Sequence, residues 1–223
     1  STLRPTRASA TTYSLNSVGY GVLVLGMKNT LLLQGKSVHQ TGGTPMVHIN
    51  SLLAGLSIEE LAELKEGRRC TVWALEKLVF RPETFEDAAR LLLRLSAAEN
   101  ESWGNNATGQ FVGLYKLQLS GTAAEPAAKL RVLDEGLSSG DMRIREVCVK
   151  ALNSMLTTSH FSRSVGQERI GAGEALEDWR PKTYGEIFDY YREALLRLES
   201  IGLNNDDRFH EDALDSIGSH LRG

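Results

Sequence analysis

From about residue 50 to the end of the chain, apolar side chains recur every three or four positions, the period of one face of an α-helix. A first helix is predicted over about 51–66, or restarting at Ser57. There Ser57-Ile58-Glu59-Glu60 has the capping-box form, a hydroxyl and a carboxylate satisfying the N–H groups left open at a helix start. Gly67 is its expected stop. Val72, Leu75, Leu78 and Val79 share a face and predict a second helix over 70–80, which Pro82 ends because it cannot continue the hydrogen-bond ladder. Phe85, Ala88, Ala89, Leu92 and Leu95 carry a third stripe over 83–98. Its acids Glu83, Glu86 and Asp87 come early and its bases Arg90 and Arg94 late, as the helix dipole favours.

The polar stretch 100–109 reads as a loop, followed by a short helix through Phe111, Leu114, Tyr115 and Leu117. Thr122-Ala123-Ala124-Glu125 has capping-box form again, with Pro126 in the first turn, a stripe of Leu130, Leu133 and Leu137, and Gly136 or Gly140 as the close. Ile144, Val147, Cys148, Ala151, Leu152 and Met155 predict a helix over 141–157 that pairs with it as a helix hairpin. Residues 158–182 are a long polar connection, and connections of that length usually carry a function or move. Thr183-Tyr184-Gly185-Glu186 opens a strongly amphipathic helix to about 201, and a last helix is expected over 205–221.

The first 49 residues differ. They are rich in Ser, Thr and Gly, and the apolar runs Val22 to Leu25 and Leu31 to Leu33 read either as a short β-hairpin or as a helix frayed by glycine. The expected architecture is mainly all-α, a helical-repeat-like stack of about seven to eight helices in all: a repeat-like domain over 50–157, the long loop 158–182, and a C-terminal helix pair over 183–223. Short helices of this kind bury their stripes only by stacking on neighbours.

The 223 residues and 41% hydrophobic content suffice for a buried core. A formal charge of -3 supplies no bulk field for a phosphate backbone, which disfavours nucleic acid as a partner. The two cysteines, Cys70 and Cys148, are too few for a disulfide framework and suit a reducing, cytoplasmic setting. The apolar segment Gly21 to Gly26 is far shorter than the roughly 18 residues of a bilayer span, so no membrane role is expected. The start at Ser1 and the end at Gly223, just after a helical pattern, suggest a piece of a longer protein.

Chemistry is thinly represented. His39, His48, His160, His210 and His220 are scattered and never stand at zinc-ligand spacing, so no metal or other cofactor is expected. Cys148 and His160 are a conceivable nucleophile pair, but Cys148 lies on an apolar stripe and reads as a buried thiol. Ser138-Ser139 and Ser162-Arg163-Ser164 lack the G-x-S-x-G turn that exposes a nucleophile, and no catalytic residues are assigned. Arg143, Arg145, Lys150, Arg163 and Arg169 are interleaved with Asp141, Glu146 and Glu168 and read as a solvated face. Tyr184, Tyr190, Tyr191 and Phe188 could stack bases or grip a peptide, but at helical spacing they read as helix packing. The candidates for binding a protein partner are Trp103, Asn105 and Asn106 in one loop, and Trp179, Arg180 and Tyr184 at the end of the other. Large aromatics and arginine dominate interface energetics.

Several stretches resemble the helical region of very large bacterial defence proteins, the STAND-type NTPases of the NACHT kind and their sirtuin-like or TIR-linked relatives. They are Trp73-Ala74-Leu75-Glu76-Lys77-Leu78, Arg81-Pro82-Glu83-Thr84-Phe85 leading into Ala88 to Leu95, the Asn105-Asn106 loop, Leu130 to Asp134, and Asp178 to Tyr184. The likeness covers about two thirds of the chain, from about residue 70 onward. It implies a scaffold or sensor region lying C-terminal to a nucleotide-binding switch. No stretch reads G-x-x-x-x-G-K-[ST], so ATPase chemistry does not come with it. The resulting expectation is a non-catalytic helical scaffold or sensor region of a bacterial signalling or antiviral-defence NTPase, contacting a protein partner or the missing domains of its own polypeptide. The alternatives are a stand-alone helical adaptor and an enzyme fragment whose active site is completed elsewhere.

Overall fold

The computed structural model describes residues 53, 55–64, 66–158, 161 and 177–221, and these form an all-helical structure. Eight helices run through them: α1 Ile58–Ala62, α2 Glu66–Val79, α3 Pro82–Ala97, α4 Ala107–Gly113, α5 Pro126–Leu137, α6 Met142–Met155, α7 Tyr184–Gly202 and α8 His210–Leu221. The segment 1–49, with its hairpin alternative, lies outside the described residues, as do 159–160 and 162–176 of the long connection.

Two helices are shared by the whole stack. α3 packs against α1, α2, α4, α5 and α6, while α6 packs against α3, α4, α5, α7 and α8. Their sequences suit that place, because a helix touched from several sides must be apolar on more than one stripe. In α3 the buried set of Phe85, Ala88, Ala89, Leu91, Leu92, Leu93 and Leu95 covers more than half of the circumference, and in α6 Val147, Cys148, Val149, Ala151, Leu152 and Met155 do the same. α7 and α8 pack on each other, and both pack on α6.

Helix starts divide into those that follow the cap signal and those that do not. At α1 the box forms as expected: Glu60 N–H donates to Ser57 Oγ at 3.1 Å and Ser57 N–H donates to Glu60 Oε2 at 2.7 Å. At α7, Thr183 Oγ1 accepts from Glu186 N–H at 3.2 Å, while the Glu186 carboxylate reaches one residue further back to Lys182 N–H at 2.7 Å. The box expected at Thr122 does not form. Its hydroxyl accepts from Ala124 N–H at 3.0 Å instead, and α5 starts at Pro126, whose fixed φ and missing N–H make it a start without a side-chain cap. α4 begins at Ala107, earlier than expected, because Asn106 caps it by accepting from Gly109 N–H at 2.8 Å.

Two glycines expected to end helices do something else. Gly67 lies in the first turn of α2, its carbonyl accepting from Thr71 Oγ1 at 2.8 Å. Gly136 is buried inside α5, where an added Cβ would run into Cys148 Sγ and sit 2.9 Å from Leu93 Cδ2, so its missing side chain lets α5 approach α6 and α3.

Arginines clamp the outer helices to the centre. Arg68 is fully buried on α2 and donates to the carbonyls of Leu61 and Leu95 and to the Glu99 carboxylate. Arg197 of α7 grips Asp134 of α5 with both arms of its guanidinium, at 2.6 and 2.7 Å. Arg90 of α3 grips Glu135 of α5 in the same way, at 2.7 and 2.8 Å.

Candidate functional site

The partner-binding candidates fall into two groups on separate elements. In the loop between α3 and α4, Trp103 donates its indole N–H to Glu101 at 2.7 Å and lies 4.7 Å from the Arg69 guanidinium, so its polar end and one face are already engaged. Asn106 is the cap of α4 and also donates to the Glu101 carbonyl at 2.7 Å. Asn105 is half-buried and lines a cavity of about 300 Å³ between α2, α4 and the loop before α5.

At the start of α7 the second group separates by exposure. Trp179 stacks on Tyr190 with ring centroids 6.0 Å apart, and its backbone N–H donates to the Thr122 carbonyl at 2.8 Å. Half-buried, it pins the end of the long connection to the body. Arg180 is exposed, and Tyr184 is 79% exposed on the first turn of α7. Tyr190 is core, as its helical spacing indicated, whereas Tyr184 and, one turn later, the 62% exposed Phe188 face outward and not into the packing expected of them.

The most unusual electrostatics lie where the sequence pattern drew no attention. On α5 the stripe is turned by one residue from the expected Leu130, Leu133 and Leu137: the buried positions are Lys129, Val132, Leu133 and Gly136, and Leu130 and Leu137 sit at its edge. Lys129 therefore points inward and is completely buried. Its Nζ donates to Ser120 Oγ at 3.1 Å and stands 5.8 Å from the centre of the Trp179 ring. Burial pushes the ammonium group down to about 7, against the opposing pull of the Asp178 charge. Asp178 is itself buried and accepts from Gly121 N–H at 3.2 Å.

The chain around Ser120 is locally unusual. Leu119 has φ 53° and Gly121 has φ 76°, and Leu119 is the one non-glycine residue at positive φ among the described residues. The hydroxyl of Tyr190 donates to the Tyr115 carbonyl at 2.8 Å and the hydroxyl of Tyr115 donates to the Lys129 carbonyl at 3.1 Å. Burial raises both phenols above their ordinary range. The visible signal for this cluster was a lysine three, four and seven residues before Val132, Leu133 and Gly136, on the face that α5 turns inward.

No family model, curated protein or solved structure matches the chain. The geometry therefore speaks for itself. Cys148 is buried and its thiol is pushed up to about 12 by that burial, the opposite of what a thiolate nucleophile needs. His160 lies outside the described residues. No helix among the described residues is long and apolar enough to cross a membrane.

Proposed function

We propose that the chain is a helical scaffold or sensor region that docks a protein partner, or further domains of a longer polypeptide, on its C-terminal helix pair. The observation that carries this is apolar surface left facing outward on α7. Tyr184 and Phe188 stand one turn apart on one face, and Leu203 at the helix end is 76% exposed. Aromatic side chains in solvent at the end of a rigid, capped helix are the kind of group that anchors interfaces. In this reading the parent is a bacterial signalling or antiviral-defence NTPase, supported by the resemblance of the Trp73 to Leu95 and Asp178 to Tyr184 stretches. A reducing, cytoplasmic setting belongs to the same proposal, supported by the free thiols of Cys70 and Cys148.

The test is a photo-crosslinking amino acid placed at Phe188 and, as control, at the exposed position Glu83 of α3, in cells that make the protein natively. A discrete crosslinked species from position 188, absent from position 83, is the expected result. No adduct at 188, or equal adducts at both, overturns the reading.

A further inference from the structure

We propose that Ser120 is a nucleophile served by Lys129 as its general base, and that the cavity beside it receives a small acyl ester or thioester. This goes beyond the docking role and does not depend on it. Four observations converge on the serine. Its Oγ lies 3.1 Å from Lys129 Nζ, within the distance at which a proton passes between nucleophile and base. It sits between two residues at positive φ, and a leucine held there is strain that persists only where the surroundings enforce it. It lines the cavity of about 300 Å³ although the residue as a whole is only 3% exposed. The lysine is completely buried, with the Trp179 ring against its ammonium group and the buried Asp178 carboxylate acting on its charge.

The cavity suits the substrate class. Val79, Val112 and Leu114 give it an apolar wall for an acyl chain, and Asn105, Gln110 and Lys116 bring donors for a carbonyl oxygen. A volume of about 300 Å³ is at the small end of ligand pockets, which limits the acyl group to a short chain. In the reaction the Ser120 hydroxyl proton passes to the neutral Lys129 amine as Oγ bonds to the carbonyl carbon. The tetrahedral adduct collapses, the bond to the alcohol or thiol leaving group breaks, and the ammonium returns the proton to that group. Water then attacks the acyl-serine with the same amine as base, releasing the acid and restoring the hydroxyl. No oxidant or further reactant enters. Desolvation of Lys129 keeps a share of it in the neutral, proton-accepting form near pH 7.

The experiment is labelling of the whole chain by a fluorophosphonate probe, with the adduct located by mass spectrometry, alongside hydrolysis of p-nitrophenyl acetate and butyrate. The expected result is an adduct on Ser120 and measurable turnover. Both should vanish in Ser120→Ala and fall by about 100-fold or more in Lys129→Met, with circular dichroism unchanged. The wild-type labelling rate should also rise with pH through an inflection near neutrality, a readout that holds even where Lys129→Met fails to fold. An unlabelled wild-type chain, an adduct on another residue, Ser120→Ala hydrolysing the ester as fast as wild type, or a rate without that inflection overturns the proposal.

Discussion

Tyr190 and Tyr115 are 75 residues apart in sequence, yet the hydroxyl of the first donates to the carbonyl of the second at 2.8 Å in the interior. The bond ties α7 to the turn after α4, and that turn carries the backbone toward Ser120. Tyr190→Phe keeps the ring on Trp179 and deletes only the donor, leaving a buried carbonyl without this partner. The expected cost is about 1–2 kcal/mol, read as a lower midpoint in urea denaturation with an unchanged slope. A variant as stable as wild type would mean that the C-terminal helix pair is held without this bond.

How legible the fold was depended on whether one stripe or several were buried. The helices over 83–98 and 141–157 were placed to within two residues because long apolar stripes with charged flanks leave little choice of period. Cap motifs were less decisive. Ser57 and Thr183 do cap their helices, whereas Thr122 turns its hydroxyl to Ala124 because Pro126 already supplies a start. The site was harder to see for a related reason. Leu130 and Leu137 mark a stripe one residue away from the face that α5 buries, and Lys129 shares the buried face with Gly136, the point of close approach to α6 and α3. Local pattern does not report which of two overlapping faces is buried, because the neighbouring helices decide it. Trp103 and Trp179 illustrate the same limit: both look like free anchors in a loop, and both are engaged by groups from elsewhere in the chain, Arg69 and Tyr190.

Gly136 offers a direct test of that close approach. Alanine favours an exposed helix over glycine by about 1 kcal/mol. At this position, however, the added methyl meets Cys148 Sγ and Leu93 Cδ2, so Gly136→Ala is expected to destabilise by about 1–3 kcal/mol through overpacking. Removing the sulfur should relieve it. The double variant Gly136→Ala with Cys148→Ala is expected to lose less than the sum of the two single changes, a coupling of at least about 0.5 kcal/mol measured by a thermodynamic cycle. Additive losses would show that α5 shifts away from α6 without strain.

Lys129 makes stability depend on pH in a direction fixed by its burial. In the unfolded chain its amine holds a proton up to its ordinary value of 10.5, and in the fold only up to about 7. Between those two values the unfolded state binds more protons, so stability rises with pH; below about 7 both states are charged, the dependence flattens, and the cost of burying the charge is fully present. The comparison is cleanest between pH 7 and 9, below the range where the unfolded tyrosines begin to ionise. Wild type is expected to gain about 1–2 kcal/mol relative to Lys129→Met across that window, the difference cancelling every group the two proteins share. Chemical denaturation at each pH measures it. Parallel curves would mean that Lys129 stays charged in the fold and that Asp178 compensates its burial, and an amine in that state could not take the proton from Ser120.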